Sequence, residues 1–291
     1  MATMNKTVKD QVLSFQQNEI DEYHIYRDLS LCEKNEKNRQ TIKSISEDEL
    51  RHYHIWEKYS GIELKPNKLK VWWYLLIGRI FGLTFGIKMM ENGEKGAQAN
   101  YAKLFKDFPE TENIIKDEAG HEKALINILR EEKLLYIGSI VLGMNDALVE
   151  LTGTLAGLTF ALQNGKLVGI AGLITGIAAA LSMSASEYLS TRAEEGGKNP
   201  LRSAFYTGIT YFAVVFFLIV PFLVYGNPFV DLGISILAAI IMIFLFTFYF
   251  SVVKDVSFKK RFSEMLVISL GVATLSFVIG LIVRFFLGIN V

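Results

Sequence analysis

From Leu134 onward the chain carries five long apolar segments, 134–162, 167–190, 203–225, 230–252 and 264–288, joined by links of 4 to 12 residues. Each exceeds the roughly 20 residues that a helix needs to cross a bilayer. The preceding third has the opposite character. Residues 1–133 hold 21 of the 30 Lys and Arg and 22 of the 30 Asp and Glu, together with all four histidines, His24, His52, His54 and His121. A formal net charge of zero therefore hides two different regions, one suited to water and one to lipid. The sequence predicts an all-α chain with a polar domain over 1–132 and a membrane domain of five spans over 133–291.

Balanced charge without a basic patch excludes nucleic acid as a partner, and the single Cys32 can form neither an intrachain disulfide nor a zinc cluster. The first ten residues have no apolar core or small-residue cleavage site, so no secretory signal is expected. Lys133, then Arg192, Lys198 and Arg202, then Lys254, Lys259, Lys260 and Arg261 fall in alternate links, with Lys166 and Arg284 opposite. That bias predicts five spans with the N-terminus cytoplasmic and the C-terminus outside, and a multi-pass protein of a prokaryotic cell membrane is expected.

In the polar third, apolar and aromatic residues recur at helical spacing over 8–32 and 38–59, then over 68–106 with a possible bend at Gly82 or Gly86, and over 110–132. Four helices with short links predict a bundle. The stretch Val71–Met90 is apolar, but Arg79 and Lys88 argue against a crossing. It is expected to pack against the bilayer surface or a partner, with Trp72, Trp73 and Tyr74 as interfacial anchors.

Two copies of Glu-x-x-His, Glu49–His52 and Glu118–His121, lie on the second and fourth of these helices. Residues three apart share a helix face, so each copy aims a carboxylate and an imidazole at one point. Glu19 on the first helix and Glu91 or Glu94 on the third stand where a dinuclear site needs its remaining carboxylates. Such an oxygen-rich set with two nitrogens suits iron or manganese. Glu22 reads as a solvated or outer group, His24 and His54 as surface residues, and Glu47 and Asp48 as part of a charged helix face.

In the membrane half three acids stand out. Asp146 and Glu150, four apart, share a face of the first span, and Glu187 ends the second, one turn after Met183. Ionised groups in hydrocarbon are costly and normally face a cavity or a partner. The first two spans carry no basic residue to neutralise them, so a transported cation or a proton is the natural counter-charge. The Met183 thioether would favour a transition metal, while Gly143, Gly153, Gly157, Gly172, Gly176, Ser182 and Ser184 would let helices approach closely.

Two resemblances follow. Glu19 with Tyr26 seven residues on, Glu49-x-x-His52, Glu91-x-x-Glu94 and Glu118-x-x-His121 make residues 8–132 similar to the ferritin-like family, in its rubrerythrin branch. The resemblance implies a four-helix bundle with Glu19, Glu49, His52, Glu91, Glu94, Glu118 and His121 as di-iron ligands. No Cys pairs exist for a rubredoxin centre, which argues against a peroxidase. The motifs Gly143-Met-Asn-Asp146-Ala-Leu and Ser182-Met183-Ser-Ala-Ser-Glu187-Tyr188-Leu-Ser190, with Pro221, make residues 134–291 resemble the vacuolar iron transporters and their yeast-type relatives. This resemblance implies five spans, a homodimer with the ion path between first and second spans of both subunits, and Fe2+ exchanged for protons.

Plant-type members carry an acidic metal-binding insert where this chain has only 192–200, with Glu194 and Glu195. The N-terminal module looks like its replacement, as in the membrane-bound ferritins. The expectation is a transporter with no catalytic residues. Iron would pass from the di-metal site to Glu187 and Met183, then past Glu150 and Asp146. The rivals are a membrane-tethered ferroxidase acting at the di-iron site and a manganese exporter.

Overall fold

The computed structural model describes residues 6–90, 108, 110–128, 135–194 and 197–287, and every regular element among them is helical. The chain divides into two compact units, Met1–Glu131 and Glu132–Val291.

In the first unit, α1 (Lys6–Cys32) packs along α2 (Glu36–Ser60), α3 (Lys68–Phe81) lies on α1, a short helix α4 covers 83–90, and α5 (Thr111–Ile128) packs on α2. Local chemistry sets the ends. Asn35 and Asn67 cap α2 and α3 by accepting from the backbone N–H groups of Asn38 and of Leu69 and Lys70, which satisfies donors that a helix start leaves open. Gly61 ends α2 with φ 68°, and Gly82 separates α3 from α4 with φ 97°; both are backbone states that a side chain would strain.

The predicted continuous helix over 68–106 is thus interrupted at Gly82, one of the two bend positions expected, and 91–107 lie outside the described residues. The break also bears on the apolar stretch Val71–Met90. The 14 residues of α3 rise only about 21 Å, short of the roughly 30 Å hydrocarbon core.

The interior of this unit is two apolar clusters. One gathers Ile25, Tyr26, Leu29, Ile42, Ile45, Ile87, Met90 and Leu125, the other Val12, Phe15, Trp56, Phe108 and Ile114. Along α1 the acids Glu19 and Glu22 fall in the gap between Phe15 and Ile25, so the sequence order of α1 holds a buried polar layer between two oily ones.

The second unit contains α6 (Ile137–Leu162), α7 (Gly165–Ala193), α8 (Pro200–Val224), α9 (Pro228–Lys254) and α10 (Phe258–Leu287). Asn164, Asn199 and Asn227 cap α7, α8 and α9, the last two followed by Pro at the first helical position. Four of the five, α7 to α10, are long and apolar enough to cross a membrane. The remaining helix, α6, has 26 residues, ample length, but Asn145, Asp146 and Glu150 dilute its apolarity.

Its position explains how it carries them. α6 packs against α7, α8, α9 and α10, and its faces are mostly buried or half-buried where its neighbours show large apolar side chains outward. Glycines make the contacts close: a methyl group on Gly143 would strike the carbonyl of Thr207 in α8, and one on Gly157 would lie 3.1 Å from the carbonyl of Ser276 in α10.

Candidate metal centre

In the first unit, ligand atoms of Glu19, Glu49, His52 and Glu118 all lie within 4.8 Å of one another. Nδ1 of His52 faces three carboxylates, Glu49 Oε2 at 3.3 Å, Glu118 Oε1 at 3.5 Å and Glu19 Oε2 at 3.6 Å. The other oxygen of Glu49, Oε1, is 3.2 Å from Nδ1 of His121. Glu49 therefore stands between two imidazoles whose ring centres are 6.1 Å apart, one oxygen turned to each. Glu91 and Glu94, the carboxylates expected from the third helix, lie outside the described residues.

The histidines are aimed by an arrangement that helical spacing alone does not reveal. Nε2 of His52 is 3.2 Å from Asp117 Oδ2, on the opposite helix, and Nε2 of His121 is 3.0 Å from Asp48 Oδ2. Each aspartate immediately precedes the glutamate of its own motif, so the repeat is Asp-Glu-x-x-His in both copies and the aspartates cross over to serve each other's histidine. One guanidinium ties the pair together: Arg51 donates to Asp48 Oδ1 at 2.6 Å and to Asp117 Oδ2 at 2.8 Å. Asp48 lies on a charged helix face beside Arg51, as expected, and in addition reaches His121. The signal that could have identified it was the doubled Asp before Glu.

Electrostatics follow from burial. Glu19 and Glu49 are 2 % exposed and His52 is fully buried. Burial, reinforced by the neighbouring charge of Glu49, pushes the Glu19 carboxyl up to about 7. Burial likewise works against Glu49, but hydrogen bonds from His121 and His52 outweigh it and hold this carboxyl below the usual range. Burial alone would discharge His52, yet bonds to Glu118, Glu19 and Glu49 raise it well above an ordinary histidine. His121, opposed by burial and supported by Glu49 and Asp48, rises to about 9.

Of the Glu19–Glu49 pair, Glu19 is the one that gains a proton more readily, and both carboxylates face imidazoles held above the ordinary histidine range. Three carboxylates around one imidazole, sealed from water, fit a divalent iron or manganese ion in the protons' place. The outer Nε2–aspartate bonds would fix which ring nitrogen faces the ion.

Around this centre, Trp56 donates from Nε1 to Glu19 Oε1 at 3.3 Å. Glu22 is buried at 8 % exposure, which corrects its solvated reading, whereas His54 is exposed beside Glu57.

In the second unit, the antiparallel course of α6 and α7 brings Ser139 and Glu187 to the same end, and Ser139 Oγ donates to Glu187 Oε1 at 2.6 Å. Thr191 Oγ1 lies 3.5 Å from that same oxygen. Asp146 is two turns further along α6, about 10 Å, and Glu150 about 6 Å beyond it. Tyr211 of α8, fully buried, donates to Glu150 Oε2 at 2.6 Å. From the Glu187 end the acids therefore run Glu187, Asp146, Glu150. Met183 is half-buried against the unit's apolar core.

No charged residue follows Glu150 on α6. Among the described residues no Lys or Arg forms an ion pair with these three acids. Ser139, Thr191 and Tyr211 were not singled out from the sequence, because hydroxyls in spans are common and their partners sit on other helices. Glu194 caps the end of α7 and is exposed, and Glu195 lies outside the described residues.

One further acid was overlooked. Asp231, in the first turn of α9, is fully buried beside Gly226. It presses on Gly165 at the start of α7, where a methyl group would come within 2.6 Å of Oδ2. Its position at the edge of an apolar run makes it read as a segment boundary.

Residues 137–196, covering α6 and α7 and both membrane motifs, match the family model described as VIT family. No curated protein and no solved structure matches the chain. With four helices apolar enough to cross a bilayer, the match supports a multi-pass membrane protein.

Proposed function

We propose that this chain is a divalent metal transporter that carries Fe2+ out of the cytosol in exchange for protons, working as a homodimer with its N-terminus inside. The single observation that carries this reading is the row of acids Glu187, Asp146 and Glu150. Among the described residues Glu187 and Glu150 accept from neutral hydroxyls, no Lys or Arg pairs with any of the three, and all lie inside the stretch that matches the VIT family. Carboxylates that must lose a proton to take up a cation couple metal release to protonation. The first unit is a ferritin-like domain that binds iron at Glu19, Glu49, His52, Glu118 and His121, completed by Glu91 or Glu94, and delivers or senses it.

The test is flux into proteoliposomes under a fixed pH gradient. Asp146→Ala is expected to bring metal flux to the level of empty vesicles while the metal content of the first unit stays unchanged. Wild-type flux in this variant would remove Asp146 from the path. Competition between Fe2+ and Mn2+ in the same assay distinguishes an iron carrier from a manganese exporter, since the donor set admits both.

A second reading, a membrane-tethered ferroxidase, is favoured by the placement of Glu49 between two imidazoles, which suits a pair of metal ions. Iron bound there would supply electron-transfer chemistry toward oxygen. Rapid multiple-turnover oxidation of Fe2+ by the full chain, lost in Glu49→Ala with flux retained, would establish it.

A further inference from the structure

α3 is apolar on both sides. Its inner face, with Val71, Tyr74, Leu75 and Ile77, packs toward Ile25 and Leu29 of α1, and Gly78 lets Leu29 approach closely. Its outer face presents Leu69, Trp72, Trp73 and Ile80, which are 74 %, 56 %, 50 % and 64 % exposed. Positions 69, 72, 73, 76 and 80 fall on one helical stripe, so the exposure is one continuous surface.

A water-facing helix does not hold two tryptophans and two long aliphatics on its outer side without a partner. Basic residues frame the stripe: Lys65 and Lys68 are exposed at its start and Arg79 at its end, with Glu63 in the preceding link and Glu33 lining the same cavity as Arg79. Lys70 is turned away, paired with Asp21 at 3.2 Å.

We infer that the outer face of α3 is a bilayer-surface docking site, lying in the headgroup region with Trp72 and Trp73 as anchors and Lys65, Lys68 and Arg79 against anionic lipid phosphates. Three observations select lipid over other occupants. Paired tryptophans beside aliphatics are the composition of a membrane interface. The basic frame complements an anionic leaflet. The same chain carries four helices apolar enough to hold it at a bilayer. At about 21 Å, α3 has the length of an element lying along a surface and is too short to span. This inference does not depend on the transported ion.

The chain reports on itself. It has three tryptophans, and the third, Trp56, is fully buried in the first unit. The full chain is reconstituted in nanodiscs of phosphatidylcholine and phosphatidylglycerol, with acyl chains either plain or brominated near the headgroup, and excited where tyrosine does not absorb.

Brominated lipid is expected to remove up to about two-thirds of the emission, the share of two tryptophans in three, and to leave Trp72→Phe/Trp73→Phe unquenched. Emission that is blue-shifted but insensitive to bromine would mean that a second copy, or residues 91–107, covers the face, and would overturn the proposal. Red-shifted emission quenched by aqueous iodide would overturn it as well, by leaving the face in water.

Discussion

The two units hold carboxylates in opposite ways, buried at Glu19 and Glu49 in the first and half-buried at Asp146, Glu150 and Glu187 in the second. In the first, Glu19, Glu49 and Glu118 surround His52, a second imidazole touches Glu49, and Arg51 fastens the aspartates behind both histidines. Positive charge is built in, and Glu49 and both histidines are held from two sides. In the second, among the described residues Glu150 and Glu187 accept from Tyr211, Ser139 and Thr191, and Asp146 lies between them along α6. Buried carboxylates are tolerated only when their charge is offset. One unit therefore offers imidazole and guanidinium partners to its carboxylates, while among the described residues the other offers only neutral hydroxyls.

The sharpest way to break this contrast is Glu49→Gln. Removing the carboxylate that faces both histidines is expected to abolish metal retained by the first unit, read by elemental analysis after gel filtration, while Asp146→Ala leaves that metal in place. Loss of retained metal in both variants would merge the two sites into one.

A smaller effect comes from the crossed aspartates. Asp117→Asn or Asp48→Asn keeps the shape but weakens the hold on a histidine, and an outer partner of this kind is worth about 10- to 100-fold in metal affinity. Titration with a competing chelator checks it, and an unchanged affinity would reduce the crossing to packing.

The pH dependence is smaller again and has a defined sign. Glu19 at about 7 and His121 at about 9 hold protons in the metal-free unit near neutrality, so a metal ion must displace them. Affinity is expected to fall on acidification from about pH 8 to 6, by about tenfold per pH unit for each proton released. Calorimetry in buffers of different ionisation enthalpy counts those protons.

The mildest change is Tyr211→Phe. It leaves Glu150 without its hydroxyl donor at an expected cost of about 1 kcal/mol in stability, read by thermal unfolding in detergent. A larger drop in flux than in stability would make Tyr211 part of the path.

Much of this was legible before any coordinates. The paired Glu-x-x-His motifs place Glu49 with His52 and Glu118 with His121 because a helix repeats every 3.6 residues, and Asn-Pro pairs mark where α8 and α9 begin. Asp146 and Glu150 announced themselves by cost, since ionisable side chains are rare in apolar spans. The five apolar segments were legible as well, but not that α6 carries Asn145, Asp146 and Glu150 while packed against four neighbours, because such packing is not a property of its own residues.

Sequence by itself determined which side chains share a helix face and which stretches belong in water or in oil, since both depend on residues near one another along the chain. Tertiary structure alone decided that Asp117 serves His52 and Asp48 serves His121, that Tyr211 reaches Glu150, that Glu187 meets Ser139, and that Asp231 is enclosed. Those pairings depend on the rotation and register of one helix against another. Contacts such as Gly143 against Thr207 set these, and no local periodicity encodes them.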